Sequence, residues 1–260
     1  MRLTGALSWP ALRGLRLGCV KYLNSRPLIH PFTGPVVFDH PSVLAKKLSA
    51  GELDAALVPV FEALRNPHYF LVDGAAVASD GPVFSVFLAY QGELKDVRSI
   101  ALDPASLTSA HLLRVLLAEF HGLAPQFGAQ GEAQLLIGNQ AIDFRLSAAA
   151  TGWNILDLGE EWKRCTGLPF VFAVWALRPG LADAGAVAND LRALKTEGLA
   201  QLDAIVAEDK LADPDFRRRY LTRHIQFEIG DRGRAAVALY RALLAKHAHI
   251  PPSAEALQWV

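Results

Sequence analysis

The 260-residue sequence has no excess of either charge: Lys and Arg number 26, Asp and Glu 26. A protein that grips nucleic acid needs a basic surplus to neutralise phosphates, so no nucleic-acid partner is expected and only a local anion site remains open. Cysteine is scarce. Cys19 and Cys165 are far apart, with no CxxC and no Cys/His cluster to hold zinc, and both are expected as packed thiols in a reducing compartment. No apolar run reaches the ~20 residues of a membrane span, so no membrane partner is expected. Pro10, Arg13 and Arg16 break the segment before Leu17-Gly18-Cys19. Residues 1–14 therefore read as a short extension before the first strand, not as an export signal, and the expected location is the cytoplasm. GxGxxG, P-loop and GxSxG signatures are missing, and no histidine stands in an HExxH pattern. No metal and no cofactor is expected.

What is present is apolar: 52% of the residues are hydrophobic. A compact chain of this size buries roughly three quarters of the surface exposed by its unfolded form, so a sizeable core is available. Strands are expected at Leu15–Leu23, Val36–Phe38, Asp54–Val58, Val83–Tyr90, Ser99–Leu102, Gln134–Ile137, Ile155–Leu158 and Phe170–Leu177. Several are short continuous apolar runs of the kind buried in parallel sheets. Ser25 with Pro27 reads as a helix start, as does Pro41-Ser42, and a strong helix follows Thr108 or Ser109. After Pro179-Gly180 the chain reads as helical almost to its end. Strands alternating with helices give an α/β class with mixed, mostly parallel sheets. The expected organisation is two lobes with a ligand cleft between them: 1–89 plus 178–260, which includes the helical C-terminal segment, and 90–177. In such folds ligands bind at the carboxyl ends of the strands.

Three places could carry chemistry. Strand, hydroxyl-rich loop and helix start over 99–109 form a generic anion-binding arrangement, with Ser106, Thr108 and Ser109 as added donors; ordinary helix capping is the competing reading. Asn24 at a strand end offers two donors and an acceptor to a substrate carboxylate or hydroxyl, against a plain turn role. Ser85 puts a hydroxyl inside an apolar strand, facing the lobe interface or bonded to backbone. His247 and His249 read as exposed helix-end residues, Glu160 and Glu161 as acidic residues favouring a helix start, and Arg217-Arg218-Arg219 as a solvated helix face.

Five blocks, VKYLNSRPL (20–28), GELDAALVPV (51–60), GPVFSV (81–86), DPASLTS (103–109) and GLPFVFAVW (167–175), make the chain resemble the menaquinone-biosynthesis chorismate dehydratase family over about residues 15–180. The resemblance implies a periplasmic-binding-protein-like (type II) fold used as an enzyme. It implies a hydro-lyase that eliminates water from chorismate to give 3-[(1-carboxyvinyl)oxy]benzoate in the futalosine route to menaquinone. Carried over by position, Asn24 and Ser85 are the expected catalytic residues, and Ser106, Thr108, Ser109, Gly138 and Asn139 the expected substrate contacts. Asn139 stands where the family often has Asp, and the extension before Leu15 has no recognised counterpart. The expected partner is the small molecule chorismate, and the oligomeric state is left open. Rival readings are a cleft-type solute-binding protein for a small carboxylate, a ligand-sensing regulatory domain, and the sibling 1,4-dihydroxy-6-naphthoate synthase, whose Ser-Pro-Cys-Pro-Asn type opening is absent.

The dehydratase reading leaves the site short of ordinary bases. The substrate's own enolpyruvyl carboxylate is therefore expected to take the ring proton, with Asn24 and Ser85 orienting it or the leaving hydroxyl.

Overall fold

The structure, a computed structural model, describes residues 9–103 and 106–260, so Pro104-Ala105 of the hydroxyl loop and residues 1–8 of the extension lie outside the described residues. The strands, in chain order, are β1 (Leu17–Cys19), β2 (Val36–Phe38), β3 (Ala55–Pro59), β4 (Phe70–Ser79), β5 (Val86–Tyr90), β6 (Ser99–Ala101), β7 (Gln126–Gly128), β8 (Ala133–Ile137), β9 (Asn154–Asp157), β10 (Phe170–Leu177) and β11 (Gln258–Trp259). The helices are α1 (Pro41–Ser49), α2 (Val60–Arg65), α3 (Leu107–Val115), α4 (Gly138–Leu146), α5 (Leu158–Thr166), α6 (Ala184–Ala200), α7 (Leu202–Glu208), α8 (Pro214–Arg219) and α9 (Gly230–Lys246).

Two sheets result, one in the order β11-β4-β10-β3-β1-β2 and the other β7-β6-β8-β5-β9. β1 pairs in parallel with β2 and β3, and β6 with β7 and β8. β10 runs antiparallel between β3 and β4, and β5 antiparallel between β8 and β9. The fully buried AALVP of β3 and the apolar FVFAVWAL of β10 occupy the middle of the first sheet, where both faces are covered and alternation is unnecessary. Local signals set the boundaries around them. Asp157 caps α5 by accepting from the Gly159 and Glu160 N–H groups, and Gly167, at φ +73°, ends that helix in the left-handed region. Asp183 caps α6 by accepting from the Ala186 N–H.

The mixed α/β class stands, with several local corrections. β5 joins the second sheet and β10 the first. The sheets thus divide the chain within 80–85 and 158–169, one strand earlier on each pass than the limits 1–89 plus 178–260 and 90–177. Each expected limit fell after a strand whose sheet is fixed only by distant pairing. The expected strand Leu15–Leu23 is confined to β1, because the chain turns into a 3₁₀ segment at Leu23–Leu28. Ser25 caps no helix; its hydroxyl donates to the carbonyls of Val20 and Tyr22 at 2.7 and 2.8 Å. The ten-residue β4 was not anticipated at all. Part of the N-terminal extension is packed rather than appended: Trp9 and Leu12 are buried, and the Ala11 N–H donates to Asp190 on α6 at 2.7 Å.

Three further side chains depart from expectation. Arg217 is buried, not solvated, and donates to the carbonyls of Val206, Leu211 and Ala212. His247 and His249 are half-buried. Glu160 and Glu161 lie in the first turn of α5 as expected, Glu161 buried against His121 and Arg164. Cys19 is a buried free thiol, pushed up to about 12 by burial, and Cys165 is a half-buried one. Among the described residues no helix is long and apolar enough to cross a membrane, and no group of His, Cys, Asp or Glu could hold a metal ion.

Candidate active site

A half-open cavity lies between the two sheets. Its walls come from the carboxyl ends of parallel strands and the segments that follow them. Val20, Tyr22 and Asn24 follow β1, Leu57 and Pro59 end β3, Ser106 to Ser109 follow β6, and Ile137-Gly138 ends β8. Val77 of β4, Val86 of β5, and Phe172 and Ala173 of β10 complete the wall between the sheets. This is the position at which open α/β sheets take ligands.

Sequence reasoning thus brought Asn24, Ser106, Thr108, Ser109 and Gly138 to one cavity. Ser106 directly precedes α3 and its side chain caps nothing. Its hydroxyl is buried and has no partner among the described residues. Capping therefore does not account for this hydroxyl, and a buried orphan hydroxyl beside a helix N-terminus is suited to an anionic ligand. Thr108 ties the sheets together. Its Oγ1 accepts the Phe61 N–H at 3.2 Å, and its carbonyl accepts the Tyr240 hydroxyl at 3.1 Å.

Two expected site residues sit outside the wall. Asn139 turns away, its side-chain oxygen accepting the Leu23 N–H at 3.4 Å across the cleft. Ser85 is fully buried behind Val86. Its Oγ accepts the Tyr220 hydroxyl at 2.7 Å, and its carbonyl accepts the Gly138 N–H at 2.8 Å. The Asn24 side chain lies beside the same Tyr220 phenol and favours its anionic form.

The turn before Ser85 is strained. The Ser85 N–H donates to the Val83 carbonyl at 2.8 Å, and Phe84 between them has φ +67°. That is a γ-turn of the rare hand, on a residue with a Cβ, adjacent to a candidate functional group. Asp157 holds it. One carboxylate oxygen accepts the Val83 N–H at 3.0 Å and the other the Phe84 N–H at 2.8 Å. Arg145 pairs with Asp157 at 3.1 Å and lies 4.2 Å from the centre of the Phe84 ring.

Tyr22 was missed by sequence reasoning as a wall residue. Its ring packs so close to Gly138 that a Cβ there would fall 3.1 Å from a ring carbon, and Gly138 has φ +64°. Burial and the Asp103 charge raise the Tyr22 phenol above its usual value. Its place directly after β1 was the available signal. Among the described wall residues none is Lys, Arg, His, Asp or Glu. The cavity meets a ligand with hydroxyls, an amide, backbone N–H groups and hydrocarbon.

Comparisons with known proteins agree with this picture. Residues 15–246 match the family described as menaquinone biosynthesis. The chain is 31% identical over 217 residues to the chorismate dehydratase of Thermus thermophilus, covering 74% of this chain and 80% of that protein. Among solved structures, a protein from Archaeoglobus fulgidus superimposes with a TM-score of 0.73 at 18% identity, covering 91% of this chain and 98% of its own. The alkanesulfonate-binding protein SsuA of Xanthomonas axonopodis pv. citri, bound to MOPS, does so with a TM-score of 0.65 at 16% identity, covering 95% and 97%. These two share the periplasmic-binding-protein-like fold. With the family matched from the first strand into the last long helix, the chain belongs to the menaquinone-biosynthesis family that contains the chorismate dehydratases.

Proposed function

We propose that this chain dehydrates chorismate to 3-[(1-carboxyvinyl)oxy]benzoate, acting as a carbon–oxygen hydro-lyase. The kinship with the Thermus thermophilus chorismate dehydratase supports the substrate. The observation that carries the mechanism is the uncharged cavity wall. Chorismate brings two carboxylates, and one of them lies within reach of the proton to be removed. The reaction breaks the C–H bond at the ring carbon bearing the enolpyruvyl ether. The electron pair moves into the ring and hydroxide leaves from the neighbouring carbon. Proton and hydroxide together make the released water, and the ring becomes aromatic.

The enolpyruvyl carboxylate takes the ring proton through a six-membered approach. The ring carboxylate sits at the N-terminus of α3 with Ser106, Thr108 and Ser109. There, backbone N–H groups and hydroxyls face the charge that spreads toward it as the proton leaves. Asn24 on the wall, with Ser85 immediately behind it, orients the enolpyruvyl carboxylate and the leaving hydroxyl. Gly138 admits the Tyr22 ring against the substrate, and Asn139 steadies the cleft from outside the wall. Holding the substrate in one conformer matters because chorismate also rearranges and also loses pyruvate; fixing both carboxylates away from bulk water selects one fate.

The test is direct. Purified protein is incubated with chorismate, with no metal or cofactor added, and products are followed by mass spectrometry. The expected product is the species 18 mass units lighter than chorismate, the loss of one water. Unchanged chorismate, or only its rearranged or pyruvate-eliminated products, refutes the proposal.

A further inference from the structure

We propose that Tyr220, delivered by the helical C-terminal third of the chain, is a positioning residue for Ser85 in the reaction proposed above. The inference rests on that reading for its catalytic readout but on the structure for its geometry. Tyr220 is buried, 135 residues from Ser85 in sequence, and its hydroxyl donates to Ser85 Oγ at 2.7 Å. The Asn24 side chain lies beside the same phenol. With the tyrosine as donor, the hydrogen on Ser85 Oγ is not spent on it.

The phenol is suited to this task. Burial pushes it far above its ordinary value, so it stays a neutral donor across the working pH range. Its location is defined by local structure. Asp213 caps α8 by accepting the Phe216 N–H at 2.8 Å. The buried Arg217 guanidinium holds three carbonyls of the preceding segment. Tyr220 opens a wider, π-type turn over Tyr220–His224, the kind of irregularity that helices carry at functional positions. Phe216 and His224, on either side of Tyr220, close on the strained residue: their ring centres lie 5.0 and 5.4 Å from that of Phe84. A purely space-filling tyrosine would not explain why its one polar atom is spent on Ser85 Oγ.

The experiment compares the parent, Tyr220→Phe, Ser85→Ala and the double variant, which keeps the ring and removes only the hydroxyl at position 220. Tyr220→Phe is expected to lower kcat by roughly 10- to 100-fold with KM changed by less than about threefold. In the Ser85→Ala background the same change is expected to cost less than about threefold further, because the phenol acts through Ser85. A Tyr220→Phe enzyme within about twofold of the parent, or an equal loss in both backgrounds, overturns the proposal. Hydrogen exchange of residues 81–90 supplies an arm independent of turnover: it is expected to be faster in Tyr220→Phe than in the parent. A parent that leaves chorismate unchanged refutes the dehydratase reading alone. In that event the exchange decides the Tyr220 arrangement, and equal protection in parent and variant overturns it.

Discussion

Replacing Asp157 by Asn tests whether the strained turn that presents Ser85 is held from below. The carboxylate is buried and accepts five hydrogen bonds: from the N–H groups of Val83, Phe84, Gly159 and Glu160 and from the Arg145 guanidinium. An amide has one acceptor oxygen. With that oxygen in the position facing Val83, Gly159 and Glu160, the new NH₂ group points at the Phe84 N–H and at Arg145, donor against donor. The charge-assisted bond from the guanidinium is worth about 1.5–3 kcal/mol, and the Phe84 N–H left without an acceptor costs about 1–3 kcal/mol more. Part of this is recovered by relaxing Phe84 from φ +67°, a conformation that itself stores about 1–3 kcal/mol. The net expectation is a loss of about 2–4 kcal/mol, or about 4–16 °C in melting temperature at 2–4 °C per kcal/mol for a chain of this size.

The activity effect distinguishes a positioned turn from a merely stable one. At a temperature where Asp157→Asn is fully folded by circular dichroism, kcat is expected to fall on the order of 10²-fold, because Ser85 Oγ and the Gly138 N–H both follow this turn. Thermal denaturation and steady-state kinetics on the same preparation make the comparison. A variant that melts within about 2 °C of the parent would refute the energetic reasoning. One that is destabilised but catalytically normal would refute the link from the turn to the site.

Two other outcomes follow from single residues. Gly138→Ala puts a Cβ 3.1 Å from the Tyr22 ring at φ +64°; it should lose about 1–2 kcal/mol of stability and raise KM at least about tenfold through the displaced ring, and a KM within about twofold of the parent counts against Tyr22 as part of the wall. His111 is held neutral, pushed down from 6.5 to about 4 by burial and then by the charges of His249, Arg114 and Arg65, while its ring stacks 3.8 Å from that of Phe61. The folded state therefore binds this proton less readily than the unfolded state. Stability is fully present above about pH 6.5 and falls by at most about 3 kcal/mol as pH drops toward 4. His111→Gln should flatten the melting temperature over that interval relative to the parent, and an unchanged slope removes His111 as its cause.

The parts of this fold that could be read from the sequence are those whose information is local. The apolar run FVFAVWAL is buried on both faces and has only one good structural solution, so β10 was legible to the residue. The hydroxyl loop before α3 was legible because a strand, three hydroxyls and a helical pattern follow one another within eleven residues, 99–109. β4 was not: Asp73 and Gly74 interrupt its apolar pattern, and its register against β10 shifts twice, at Val171/Ala173 and at Val174/Ala176. The lobe limits failed for a related reason, since nothing within 86–90 or 170–177 says which sheet will accept the strand. Tyr220 was illegible because its meaning depends on Ser85, and Arg217 because its partners are carbonyls, which every sequence supplies.

An uncharged wall also explains why this site does not use the arginine clamps that carboxylates usually meet. A bidentate guanidinium would hold the enolpyruvyl carboxylate firmly, but it would stabilise the anion and lower its basicity, the property the proposed reaction draws on. Neutral donors such as Asn24, together with the hydrocarbon of Val20, Leu57, Val77 and Val86, act in the opposite direction. They orient the group while desolvation raises its proton affinity. In the proposed reaction the ring carboxylate has the converse requirement, since charge flows toward it as the proton leaves, and the proposal sets it at a helix N-terminus with an unspent hydroxyl. The asymmetry of the cavity, with donors converging after β6 and a poorly solvated amide-bearing wall after β1, thus matches the different tasks of two carboxylates on one substrate. It also accounts for the effort spent at Asp157 and Tyr220. Where no ion pair fixes the substrate, the rigidity must come from the protein's own buried hydrogen bonds.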